Sequence, residues 1–279
     1  MYMFPPCIAA VGVDTKNETL LRESVRQIGL YRDILQSKAE GPTKGAWRHI
    51  EGPESRDSGI WATGNAWIVG GTARTLATIT KSPFFKSDPQ RWKTSVDSLT
   101  LYIKEIIDAA MRAPSDDGLV RNYMDQPNGP KGFGEISGSS LLAATVFRMA
   151  VLRPDVFGTP YLLWADRIRI KLTAKDHNGN PHITKEGVVT PAVNPLNWND
   201  PNPVRNGSPE GQAFVVILYA AWRDCILSDR CIYNKSRKVV TGSSYHPSAP
   251  QCPTRSLRRR RLQARSLKLS HYRPATISY

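Results

Sequence analysis

No apolar run in these 279 residues approaches the roughly 20 needed to cross a bilayer, so no segment reads as a membrane span. The N-terminus lacks a basic start, and Pro5 and Pro6 interrupt its apolar stretch. It therefore does not read as a secretory signal, and the chain as written is expected in the cytosol. Cysteine is scarce. Cys7, Cys225, Cys231 and Cys252 have no paired metal-ligand spacing and no histidine placed to complete a zinc site. They read as free thiols, with neither metal nor cofactor expected. A phosphate-cradling glycine loop and a Ser-His-Asp set are missing too. Acid is absent from one region: of 38 Lys and Arg, 12 fall in residues 230–279, which hold no Asp or Glu. Residues 1–229 carry the other 26 against all 24 acids, so the globular part is nearly neutral and no basic nucleic-acid face is expected on it.

What is present is helix of two kinds. Three apolar helices each follow a glycine-rich polar turn: after Gly64 to about Ile79, Ser139 to Leu152, and Gln212 to about Ile226. Gly64 to Gly138 is 74 positions and Gly138 to Gly211 is 73, a near-constant period. Between them lie amphipathic helices at Asn17–Gln36, Asp97–Arg112 and Tyr161–Leu172, with apolar residues on one face and charges on the other. Buried and amphipathic helices alternating at a fixed period predict stacked hairpins, with the buried members inside and a site on the turns at one rim. The best strand signal, Gly187–Pro191 with Val193, is weak, and the fold class is all-α.

The ends depart from this pattern. Phe4–Val13 reads as the rear half of a buried helix. Residues 229–279 carry four prolines, serine clusters and the block Arg258-Arg259-Arg260-Arg261, a disordered composition. The division expected is 1–228 helical and 229–279 a disordered basic tail. That tail reads either as an untidy end, from a retained intron or a shifted frame, or as a weak polyanion binder.

Residues 61–67, Trp-Ala-Thr-Gly-Asn-Ala-Trp, place two indoles, an amide and a glycine at the mouth of a buried helix. Flat faces and hydrogen-bonding groups suit a sugar ring and its hydroxyls, while two core tryptophans at a helix start fit equally well. The stretch resembles the Trp-x-x-Gly-Asn-x-Trp signature of the six-hairpin glycosidases. Within them it is most similar to fungal proteins related to glycoside hydrolase families 88 and 105, the unsaturated glucuronyl and rhamnogalacturonyl hydrolases. Met3-Phe4-Pro5-Pro6-Cys7-Ile8-Ala9, Trp47-Arg48-His49-Ile50, Phe133–Ala143, Thr190–Pro195 and Ser208–Phe214 resemble further family segments in the same order.

The resemblance implies an (α/α)6 toroid whose central cavity takes an oligosaccharide ending in an unsaturated uronic acid, left by a pectin or glycosaminoglycan lyase. A single aspartate hydrates the vinyl ether as general acid and base, so paired carboxylates are not needed. In the family that aspartate lies shortly before the Tyr-Met-x-Pro-Pro segment, which here starts at Tyr2. The aspartate and roughly the first third of the toroid are therefore expected to be absent. No catalytic residue is assigned, and the chain is expected to be inactive. Substrate-binding candidates are His49, Asp57, Trp61, Thr63, Asn65 and Trp67, with Asn65 also readable as a helix cap and one indole expected to be structural. Thr63 stands where bacterial relatives carry an arginine, and threonine cannot fork onto a carboxylate. Glu210 reads as a helix-dipole residue, Asp14 and Glu135 as helix-end acids, and His177 and His182 as exposed turn residues. The alternative function is a non-catalytic protein binding carbohydrate or polyanions. No specific nucleic acid and no membrane partner are expected, and oligomeric state is not legible.

Overall fold

Capping side chains and early prolines set where the helices begin. The computed structural model describes residues 1–194 and 196–231. α1 (Phe4–Asp14) has Pro5 in its first turn. α2 (Glu18–Leu35) is capped by Asn17, whose side chain accepts from the N–H groups of Thr19 and Leu20. α3 spans Ala62–Lys81. Ser82 caps the short α4 (Pro83–Ser87), and Asp88 caps α5 (Pro89–Arg112). α6 (Ile136–Leu152) starts at a Glu135 cap, α7 (Thr159–Lys171) follows Gly158, and α8 (Pro209–Leu227) starts at a Ser208 cap.

The helices form the expected hairpin array. α1, α3, α6 and α8 pack side by side as an inner row, and α2, α5 and α7 lie behind α1, α3 and α6. Position in the row decides burial. α6, flanked by α3 and α8, buries 14 of its 17 residues, whereas α8 buries 6 of 19 and leaves Val216 and Leu227 exposed. At the other end, Met3 just before α1 and Phe4 and Val11 within it are exposed. The apolar character of these end helices is matched by a neighbour on one flank only among the described residues.

Several expectations need correction. α5 begins eight residues before Asp97, because Asp88 and Pro89 form a start signal that charge-facing periodicity does not reveal. The 187–193 signal yields isolated bridges, Ile183 with Val189 and Ala192 with Val204, and no strand exists among the described residues. Cys225 and Cys231 are not free thiols but a disulfide. The chain turns back at the end of α8, where the N–H groups of Arg230 and Cys231 both reach the Cys225 carbonyl, at 3.1 and 3.2 Å. Cys7 is free, as expected, and exposed. His177 is exposed, but His182 is buried, its ring held between the Thr190 carbonyl and Asp117. The basic tail and Cys252 lie outside the described residues, apart from 229–231 at the end of α8. No helix among the described residues is long and apolar enough to cross a membrane.

Candidate functional site

Asn65 organises the approach to α3. It lies inside the helix and is not its cap; Trp61 occupies the cap position. Its Oδ1 accepts from the Trp47 N–H at 2.8 Å, and its Nδ2 donates to the Trp47 carbonyl at 2.8 Å and the Trp61 carbonyl at 2.9 Å. One buried amide thus satisfies both backbone groups of Trp47 and ties the 46–50 segment to the helix. From there the chain makes a tight hairpin: Ile50 and Asp57 exchange backbone hydrogen bonds, and the His49 N–H reaches the Gly59 carbonyl. That pairing brings two candidates eight positions apart together, with His49 Nδ1 2.9 Å from Asp57 Oδ2.

A second loop closes over the first. The Ala62 N–H bonds to the Asn122 carbonyl, the Met124 N–H to the Ile60 carbonyl, and Trp61 Nε1 donates to Asn122 Oδ1 at 2.9 Å. Buried Tyr123 is thereby placed with its hydroxyl donating to Asp57 Oδ2. Gly59 permits this approach, since a Cβ there would stand 2.5 Å from the Tyr123 ring. Asp57 Oδ1 also accepts the Gly59 N–H at 3.1 Å. Burial alone would raise the Asp57 carboxyl, but donation from Tyr123, His49 and Gly59 outweighs it and holds the group below its ordinary value. The same burial and the Asp57 charge push the Tyr123 phenol upward.

Asp57 therefore stabilises the fold above the ordinary aspartate range, near pH 3.9, and that contribution is lost as pH falls through the lowered folded value. Asp57→Asn is expected to melt below the wild type at neutral pH. The gap should narrow progressively below about pH 4, as thermal melts across acid pH will show. A gap that does not change with pH would contradict the ionised lock.

Aromatic rings surround this lock. The His49 ring lies 4.6 Å from Trp61 and 5.5 Å from Trp198, and Trp67 meets Trp61 edge-on at 5.0 Å. Trp61 is buried with its N–H engaged, whereas Trp67 is partly open. Trp67 Nε1 donates to Glu210 Oε1 at 2.7 Å. Burial raises the Glu210 carboxyl, a shift the Trp67 N–H only partly offsets, and Glu210 Oε2 is buried without a protein partner. Lys131 completes the group, its Nζ 4.7 Å from the Trp198 ring centre and 5.1 Å from that of Tyr123.

Thr63 and Asn65 lie beneath these residues, Asn65 holding the Trp61 and Trp47 backbone. Both are buried, and Thr63 Oγ1 donates to Glu135 Oε1 at 3.0 Å. Glu135 is itself buried and accepts the N–H groups of Ser137 and Gly138, with burial raising its carboxyl against those donors. The pair supports the site from beneath. The starts of α3, α6 and α8 converge here, since Gly138 packs on Ala62 and Thr63 while Gly211 packs on Ser137 and Ile136. Three positive helix ends at one rim favour negative charge.

The structure thus joins His49, Asp57, Trp61 and Trp67, and adds Tyr123, Lys131, Trp198 and Glu210, which sequence reasoning missed or read otherwise. A lone tryptophan in the asparagine-rich stretch 194–202 was the available signal for Trp198. Two clefts of about 450 and 480 Å³ lie beside the 36–45 loop. In the first Glu105 is already taken by Arg32 and Gln36, and the second reaches Arg48, Ser58 and Ile60 beside His49 and Asp57. Among the described residues no group of three His, Cys, Asp or Glu side chains could hold a metal ion.

The sequence profile described as Glycosyl Hydrolase Family 88 matches residues 1–221. Solved structures of similar fold include a possible member of family GH105 from Salmonella enterica serovar Paratyphi A, at 18% identity and TM-score 0.61. There the match covers 80% of this chain and 55% of that one. A family 88 glycosyl hydrolase from Bacteroides vulgatus matches at 14% identity and TM-score 0.57, covering 80% of this chain and 60% of that one. A family 105 glycoside hydrolase from C. acetobutylicum matches at 14% identity and TM-score 0.57, with 80% and 63% covered. The chain therefore spans between half and two thirds of the length of these structures. No curated protein matches it.

Proposed function

This chain belongs to glycosyl hydrolase family 88, and on that premise we propose that its described part holds an oligosaccharide ending in an unsaturated uronic acid, of the kind lyases release from pectin. The observation that carries the reading is the aromatic cluster at the start of α3. There Trp67, Trp198 and the His49 ring offer partly open faces beside an ionised carboxylate. Asp57 accepts hydrogen bonds from sugar hydroxyls through whatever capacity His49, Tyr123 and Gly59 leave it.

Hydration of the C4–C5 double bond needs a carboxyl that can deliver a proton to the vinyl ether and activate water. Asp57 is a poor donor, because three donors hold it ionised. Glu135 is sealed beneath the site. Burial raises the pKa of Glu210, as suits a proton donor, but one oxygen is committed to Trp67. We therefore expect the 279-residue chain to bind the sugar without hydrating it. Calorimetric titration with unsaturated digalacturonate checks binding, and loss of the double bond's ultraviolet absorbance checks turnover. Binding with no turnover is the expected pair of results. Turnover would refute the binding-only reading, and absence of binding would refute the sugar reading.

A second reading rests on the 12 basic and no acidic residues of 230–279, which suit a polyanion bound through the tail. Removing residues 235–279, beyond the disulfide, separates the two: a tail-driven ligand is lost, and a cluster-bound sugar is retained.

A further inference from the structure

We propose that Lys131 is the residue that selects an acidic sugar at this site, taking the carboxylate of the terminal uronic acid. This rests on the sugar-binding reading above and deepens it. Thr63, at the start of α3, is neutral, buried and bonded to Glu135, so it offers a ligand no charge.

The cations around the cluster differ in what they already hold. Arg48 pairs with Glu51 at 2.7 Å, and Arg121 bonds to the Gly132 carbonyl and lies 3.7 Å from Asp116. Lys131 pairs with no carboxylate among the described residues; its hydrogen-bond partner is the neutral amide oxygen of Asn199, at 2.7 Å. An ammonium has three donors, so two remain for a ligand. It also lies against the Trp198 and Tyr123 rings, half-buried, where an ion pair is screened less than on open surface.

The neighbouring charge is arranged so that an incoming anion is tolerated. The cluster holds two carboxyl groups: Tyr123, His49 and Gly59 all donate to Asp57, and Trp67 donates to Glu210. Lys131 touches the face of the same Tyr123 ring whose hydroxyl serves Asp57, so the ammonium and the carboxylate occupy different sides of one side chain. Trp198 then links the cation to His49, which places a sugar face and a carboxylate partner next to each other.

The lysine can be changed without dismantling the site. Its backbone carbonyl accepts the Tyr123 N–H at 3.1 Å whatever the side chain, and Asn199 is exposed, so water replaces the lost donor. The test titrates the full 279-residue protein and the variants Lys131→Met and Lys131→Arg with unsaturated digalacturonate and with its neutral dimethyl ester. In Lys131→Met, affinity for the acid is expected to fall about ten- to a hundredfold, as for loss of a hydrogen bond to a charged group. Affinity for the ester should stay within about twofold, and the acid's affinity for wild type alone should weaken with added salt. Lys131→Arg should retain most of the acid's affinity. Equal losses on acid and ester, or no loss on either, would overturn the assignment of Lys131 while leaving a sugar site standing. A wild type that binds neither ligand would overturn the sugar-binding reading itself.

Discussion

Asn65→Ala is expected to destabilise the protein by about 2–5 kcal/mol and to abolish sugar binding at the same stroke. The alanine would leave the buried N–H and carbonyl of Trp47 without their partners, and each such orphan costs about 1–3 kcal/mol. The Trp61 carbonyl keeps the Asn65 backbone N–H, so it adds little. Because the same amide anchors the segment that carries His49, the His49–Asp57 pair loses its fixed position against Trp61. Urea unfolding reads the first effect and titration with unsaturated digalacturonate the second. An unfolding midpoint equal to that of the wild type would show that the amide is not the anchor described.

The second large effect concerns the contact between inner helices. A Cβ at Gly138 would stand 2.7 Å from Glu135 Oε1 and 2.9 Å from both the Ala62 carbonyl carbon and the Thr63 nitrogen. Two of these neighbours are backbone and cannot swing aside, so α3 and α6 must move apart along their buried seam. Gly138→Ala is expected to cost about 2–4 kcal/mol, measured as a lowered urea midpoint. Gly158→Ala is the matched control, since nothing lies within 4 Å of a Cβ there, and its midpoint should barely move. Equal behaviour of the two variants would mean that the seam is not closely packed.

The helical array was legible in the sequence because its signals are local and repeated. Glycines that fall in the first turn of apolar helices recur at a steady spacing, and the amphipathic faces of α2 and α5 are visible in any short window. By contrast, α7 buries only Ala165 and Ile168 and lacks the apolar face expected of it. The site was legible only in part, for a physical reason. His49, Asp57, Trp61 and Trp67 lie within twenty residues of one another, so neighbouring segments of one short stretch point to all four. Tyr123, Lys131, Trp198 and Glu210 reach the cluster through loops and a helix start remote in the chain: Tyr123 meets Asp57 across 66 positions and Trp67 meets Glu210 across 143. No local pattern encodes such pairings. The cap reading of Asn65 fails because the helix starts at Ala62, four positions earlier than an asparagine cap would require. The Cys225–Cys231 disulfide escaped because it depends on the chain reversing after Leu227, which spacing alone does not announce.

The cluster at the start of α3 is where an acidic sugar is expected to sit. Crystals of the 279-residue protein soaked with unsaturated digalacturonate decide this directly. The expected density is a sugar ring against the Trp198 and His49 rings, with its carboxylate at Lys131 Nζ. Density in the cleft between the 36–45 loop and α5, with the cluster empty, would contradict it.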